Sequence, residues 1–283
     1  MEIEPLSGAI GGRVRGVNLR TIDGAQVESV REQLHAYQML AFPDAHLTDD
    51  EHLALGEKFG EIGVFPLASI LGSADKTITK IFDGPDSPSQ ADGWHTDVTW
   101  KEEPPNYALL RADIVPERGG DTLWASLTAA FEGLSPVMQD LLRGLQVRHD
   151  CTSFLDAVRT KLGEDAYAAS GLETKLRAAH PGVDHPLVRT HPDTGREALF
   201  LGGDFMRHIV GMREPESTAL LGLLREHVSD ARFHVRWRWT PGDLVIWDER
   251  STNHRSAGDY FPQERLVCRC EVGQDKPFYR PPN

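Results

Sequence analysis

Apolar residues recur at helical spacing in several stretches of the 283-residue chain. Val27, Val30, Leu34 and Tyr37 keep a three-to-four-residue interval, which predicts a helix near 25–40 with one buried face. Thr48 and Glu51 form a capping-box pair ahead of Leu53, Leu55 and Phe59, and Gly60 is placed to stop that helix. Ser135-Pro136 reads as an N-cap and first-turn proline before Val137, Leu141 and Leu145, and Pro215 opens a helix carrying Leu220, Leu221, Leu224 and Val228. Between these lie runs rich in β-branched and aromatic residues. They predict strands at Lys76–Phe82, Trp94–Trp100, Tyr107–Ile114, Phe233–Trp239, Leu244–Trp247 and Leu266–Val272, with a turn at Thr240–Asp243.

Most of these strands do not alternate with helices, which disfavours a doubly wound parallel sheet. The expected class is α+β with a mainly β core: a double-stranded β-helix, or jelly roll, with flanking helices. No linker-like tract divides the chain, so residues 1–283 are expected to form one domain, with 148–184 an insert or lid. The glycines between Gly8 and Gly16 match no phosphate-binding fingerprint and read as turns of a short hairpin.

Composition narrows the partners. The formal charge of −13 argues against nucleic acid or an anionic membrane, because counterion release needs a basic surface. A small anion needs only one or two pocket arginines. Nothing near Met1 resembles a signal peptide, no window is apolar enough to span a membrane, and Cys151, Cys268 and Cys270 lack C-x-x-C spacing. The expected location is the cytoplasm, and a homo-oligomer stays open.

The segment Gly93–Trp100 carries the first chemical signal. If it is a strand, His95 and Asp97 project from one face and supply two corners of a metal site. A second histidine would complete the 2-His-1-carboxylate face of non-haem Fe(II) oxygenases. His254, after the apolar run Leu244–Trp247, is the best candidate. The same spacing recurs at His191-Pro192-Asp193, but that segment reads as a turn in which Asp193 bonds its own backbone. His180, His185 and His191 are each followed by proline and read as loop polarity. In Arg265–Val272, alternation puts Arg265, Val267, Arg269 and Glu271 on one face. That face is either wet or turned into a barrel, where each guanidinium can grip an anion bidentately.

Taken together, these features resemble the taurine dioxygenase (TauD/TfdA) family of Fe(II)- and 2-oxoglutarate-dependent dioxygenases. The resemblance rests on Trp94–Thr99, Gly119–Trp124, His185–Pro192, Val235–Trp239, Trp247-Asp248 with His254, and Arg265 with Arg269, in that order along the chain. It implies His95, Asp97 and His254 as iron ligands, and Thr122 with Arg265 as the hold on the distal carboxylate of 2-oxoglutarate. It also implies that Arg269 reaches the anionic end of the substrate or co-substrate. The implied reaction couples decarboxylation of 2-oxoglutarate by O₂, giving succinate and CO₂, to hydroxylation of a substrate C–H.

Taurine-specific members use a polar His-Pro-x-Tyr segment where this chain has Phe65-Pro66-Leu67-Ala68, and a polar residue where it has Ala91. The implied substrate is therefore a sulfonate, sulfate ester or carboxylate with an apolar body, bound near Phe65, Ala68, Ala91 and Arg269. A tailoring hydroxylase and a non-catalytic sensor of iron or 2-oxoglutarate are the alternatives.

Overall fold

Residues 1–64, 78–87 and 92–281 are described by the computed structural model. The strands are β1 (Glu2–Pro5), β2 (Gly12–Arg15), β3 (Met39–Phe42), β4 (Thr79–Asp83), β5 (Tyr107–Ile114), β6 (Thr122–Ser126), β7 (Gln146–His149) and β8 (Val183–Pro186). They continue with β9 (Val188–Thr190), β10 (Glu197–Leu199), β11 (Met206–Ile209), β12 (His234–Trp237), β13 (Leu244–Asp248), β14 (Thr252–Ser256) and β15 (Arg265–Val272). A seven-stranded sheet runs β1-β2-β3-β13-β5-β15-β4, and a three-stranded sheet runs β12-β6-β14. Apart from the short parallel contact of β2 with β3, the described strand pairs are antiparallel, as expected for a sheet that is not doubly wound.

Period-2 alternation divides the large sheet between two cores. Met39, Ala41, Ala108, Leu110, Val245, Trp247 and Val267 pack with Trp124, Val235, Trp237 and Trp239 of the smaller sheet and the segment after it. Their strand neighbours Leu40, Phe42, Leu109, Leu244, Ile246, Cys270 and Val272 pack on the opposite face with the helices. Both faces are covered, which is why β3 and β13 read as unbroken apolar runs.

The helices on that outer face are α1 (Gly24–Tyr37) and α2 (Asp49–Phe59). Each begins with a complete capping box, from Asp23 and from Thr48 with Glu51. α1 stops short of the expected residue 40, because Gln38 turns left-handed (φ 63°) and Met39 starts β3. Further helices are α3 (Leu127–Glu132), α4 (Pro136–Leu142), α5 (Thr152–Leu162), α6 (Glu164–Ser170), α7 (Leu172–Ala179) and α8 (Glu214–Val228). In α4 the expected cap at Ser135 forms, but the buried face is Leu142, while Val137 and Leu141 are exposed. The helix is too short to lay a long stripe on the core.

Three expected strands change. Trp94–Trp100 is not a strand: His95 makes an isolated bridge and residues 97–100 form a turn. Phe233–Trp239 contracts to β12, preceded by a 3₁₀ turn at Ala231–Phe233. Of Lys76–Phe82, the described part starts its strand at Thr79. The hairpin β1–β2 forms as expected.

Candidate metal centre

Two backbone hydrogen bonds bring the iron candidates together. The N–H of His95 donates to the carbonyl of His254 (3.0 Å), and the N–H of His254 donates back to His95 (2.8 Å). The imidazole centroids lie 4.3 Å apart. Asp97 reaches the pair from a turn rather than from a shared strand face. Val98 takes a positive φ of 43°, a costly conformation for a β-branched residue, and this curls the chain back. The loop is tied to β14 from both sides. Thr96 Oγ1 donates to Thr252 O (2.8 Å), while Asn253 Nδ2 donates to Thr96 Oγ1 (2.8 Å) and to Leu201 O (2.7 Å). Behind it, Gly203 (φ 61°) passes so close that an added Cβ would lie 2.4 Å from Trp94 O.

Asp97 Oδ1 is 3.7 Å from His95 Nε2, and Oδ2 is 3.9 Å from His254 Nε2. One ligand atom from each residue lies within 4.8 Å of the others. His95 Nδ1 faces Gly93 O at 2.8 Å, which assigns the proton to Nδ1 and leaves the Nε2 lone pair toward Asp97. Burial, followed by the His95 ring, drives His254 down to about 3, so it is a neutral, metal-competent imidazole at pH 7. Burial would raise Asp97, but Arg269 foremost, then the two histidines, hold it at about 2. Two imidazoles and one carboxylate converging on one face fit an octahedral divalent metal with open positions.

Other groups of metal-type side chains are already neutralised. In the His35–His191–Asp248 group, Arg250 donates to both Asp248 oxygens (2.9 and 2.6 Å), and His191 Nε2 takes the second at 2.9 Å. In the Asp49–Asp113–Cys268 group, Arg111 bridges both carboxylates.

The arginine face of β15 points inward, so it is not a wet face. Arg265 is buried, donating Nε–H to Gly120 O (3.0 Å) and NH2 to Thr122 Oγ1 (3.2 Å). Thr122 also accepts from Trp239 Nε1 (2.9 Å). Gly120 is required here: at φ 72° its backbone passes Arg265 and Pro116, where a Cβ would collide. Arg269 NH1 grips both oxygens of Asp97 (2.9 and 2.8 Å), while NH2 pairs with Glu271 at 3.0 Å.

The model of the family "Taurine catabolism dioxygenase TauD, TfdA family" matches residues 2–270. The chain belongs to the TauD/TfdA family. It is 32% identical over 286 residues to an alpha-ketoglutarate-dependent sulfate ester dioxygenase of Pseudomonas putida, covering 98% of this chain and 91% of that one. It is also 32% identical over 272 residues to an alkylsulfatase of Acinetobacter baylyi, covering 95% and 84%. Among solved structures it is similar to a taurine dioxygenase from Burkholderia xenovorans, with TM-score 0.79, 30% identity and coverage of 98% and 92%. It is likewise similar to AAD-2 in complex with Mn(II) and N-oxalylglycine, with TM-score 0.79, 27% identity and 98% of both chains covered.

In this TauD/TfdA chain a cavity of about 740 Å³ opens on His95 and His254. His95, His254, Thr122, Arg265 and Arg269 line it. Its far wall is α5, where Phe154, Val158 and Lys161 follow helical spacing. The sequence positions Phe65, Ala68 and Ala91 lie outside the described residues.

Two carboxylates near the triad escaped sequence reasoning. Glu249 accepts from Trp247 Nε1 (2.7 Å) and from the Asp97 backbone N–H (3.2 Å), and its Oε1 lies 3.9 Å from His254 Nδ1. Burial first, then the Asp97 charge, push Glu249 well above the usual carboxylate range. Its place in Trp247-Asp248-Glu249-Arg250, ahead of His254, was the available signal. Glu271 was visible through alternation with Arg269, but not its pairing.

Of the histidines read as loop polarity, His185 and His191 are buried instead, while His180 is half-buried at the end of α7. His185 lies in β8 with Nε2 on Thr99 O (2.9 Å) and Lys101 O (3.0 Å). His191 sits in the expected turn, yet its Nδ1 accepts the N–H groups of Asp193 and Thr194, while the Asp193 carboxylate binds Arg250. Neutral rings can be buried at loop ends when carbonyls and amides saturate them.

Proposed function

We propose that this chain is an Fe(II)- and 2-oxoglutarate-dependent dioxygenase hydroxylating a C–H of a small anion with an apolar body: a sulfate ester, sulfonate or carboxylate. The convergence of His95, Asp97 and His254 within 4.8 Å, beside two inward arginines, carries this reading. Membership of a family with sulfate ester dioxygenase relatives supports the reaction class. N-Oxalylglycine, held with Mn(II) in the AAD-2 structure, is an isostere of 2-oxoglutarate.

His95, Asp97 and His254 would hold the iron. When bound, iron(II) would supply O₂ activation coupled to decarboxylation of 2-oxoglutarate to succinate and CO₂. The protein's part is placement. Arg265, fixed by Gly120 and Thr122, presents a fork to the distal carboxylate. Arg269 supplies a second guanidinium in the cavity for an anionic group. Phe154 and Val158 offer an apolar wall to the substrate body and exclude water from it. An apolar body is favoured over taurine by Phe65 and Ala68 in sequence. The jelly-roll reading is supported by the two packed sheets, and 148–184, which contains α5, is assigned as lid. The location assigned is the cytoplasm, in keeping with three free buried cysteines.

The test is a panel of alkyl and aryl sulfates, sulfonates and carboxylates with Fe(II), 2-oxoglutarate and O₂. Substrate-dependent succinate release supports the reading. An Fe(II)–2-oxoglutarate charge-transfer band with no turnover on any anion would instead support a sensor.

A further inference from the structure

A second cavity, of about 820 Å³, shares no lining residue with the iron cavity and is bordered by Arg13, Arg15, Arg20, Arg236 and Arg238. In a chain of net charge −13, five guanidiniums gather around one concavity. The two lining carboxylates do not answer them. Asp243 is buried and accepts from Trp237 Nε1 (3.2 Å), Thr240 N (2.9 Å) and Asp44 N (3.1 Å). Asp44 bonds His46 at 2.7 Å.

The acids that do pair with these arginines stand outside the lining. Glu4 serves both Arg13 (3.1 Å) and Arg15 (3.8 Å), Glu51 serves Arg20, and Asp121 with Asp259 serves Arg236. Arg238 is exposed and has no ion-pair partner among the described residues. The pairs with Glu4 and Glu51 are partly exposed and weak, so they leave Arg13, Arg15 and Arg20 available to a bound anion, whereas the buried Asp121 holds Arg236 more firmly. Leu6, Val14, Val17 and Phe42 supply apolar wall between them, and the Arg13 guanidinium lies over the Trp237 ring at 5.5 Å.

We infer that this cavity is an accessory site for a small organic anion with more than one negative charge on an apolar frame. Its volume is that of a small-molecule pocket, about 300–1,000 Å³. Its forks suit carboxylate, sulfonate or phosphate groups held bidentately.

The probe is benzene-1,3-disulfonate, titrated calorimetrically into anaerobic enzyme loaded with Fe(II) and saturating 2-oxoglutarate. A binding event with a dissociation constant below about 1 mM that persists in Arg269→Gln is expected, weakening with added salt. Arg238→Ser, and Arg13→Ser with Arg238→Ser, should weaken that event at least tenfold, whereas Arg269→Gln should leave it unchanged. No binding to the parent enzyme overturns the inference. So does binding insensitive to Arg13 and Arg238, or binding lost in Arg269→Gln. Sedimentation supplies the remaining check: if Arg238→Ser alone splits a dimer, the cavity is a contact between copies and the ligand assignment fails.

Discussion

His95 and His254 are joined backbone to backbone, each donating its N–H to the other's carbonyl at 3.0 and 2.8 Å. An isolated β-bridge thus spaces the two imidazoles before any metal is considered. The metal face is built by main-chain pairing, and only Asp97 depends on a strained turn at Val98.

Removing one donor from this face should therefore cost metal rather than fold. His254→Ala is expected to lower Mn(II) and Fe(II) affinity at least about 100-fold, beyond the 10–100-fold typical of outer partners, with little change in secondary structure. His191→Ala should do the reverse, leaving metal affinity intact and lowering the melting temperature, because it removes one partner of the buried Asp248 and the acceptor of the Asp193 and Thr194 N–H groups. Anaerobic metal titration and thermal melts on both variants separate the proposed triad from the His191–Asp248 pair.

Arg269 is locked between Asp97 and Glu271, all three shielded from water. Arg269→Ala strands two buried carboxylates and should destabilise the metal-free enzyme by about 3–5 kcal/mol in urea unfolding. Mn(II) can replace the lost cation at Asp97, so its stabilisation of the variant should exceed that of the parent. Equal stabilisation of the two would detach Arg269 from the Asp97 charge.

Thr122 accepts from Trp239 and Arg265 at once. Thr122→Val is nearly isosteric but leaves the buried indole N–H unpaired, at about 1–3 kcal/mol. It should also raise the KM for 2-oxoglutarate more than it lowers kcat, since Arg265 loses its hydrogen bond to Thr122. Thr122→Ser should restore both. A variant with unchanged KM would remove Thr122 from the co-substrate site.

Burial holds His52 and His185 down to about 4 in the folded chain, against 6.5 for a free imidazole. Below 6.5 the unfolded state binds more protons than the native one. Stability should therefore be full above pH 6.5 and fall as the pH drops toward 4, by on the order of 3 kcal/mol for each ring. His185→Gln keeps a donor for Thr99 O and removes one titration, so its urea midpoint should fall less steeply over that window. An equal slope in both proteins would exclude His185 as a contributor.

Local chemistry was legible where a few neighbouring residues settle it. The Thr48–Glu51 box, the Ser135 cap and the Pro215 start all appear in place, because each closes within one turn. β15 was readable from alternation and β5 from its strand-forming run, since one face of each meets helices and the other meets the triad cavity or the small sheet. Trp94–Trp100 misled because its aromatic and β-branched residues carry strand propensity, while ties to Asn253, Thr252 and His254 from about 150 residues away bend it into a loop. The same distance hid Glu249, whose role depends on Asp97.

The sequence alone determined the donor types, the shared face of Arg265 and Arg269 on β15 and the strand-rich class, because these follow from residue identity and period-2 geometry, whereas the inward turn of that face was decided by the fold. Tertiary structure decided that Asp97 joins His95 through a turn, that Arg269 rests on Asp97, and that His191 is consumed by Asp248. Each of those outcomes depends on which charges share a water-free space, and residue order does not encode that distance.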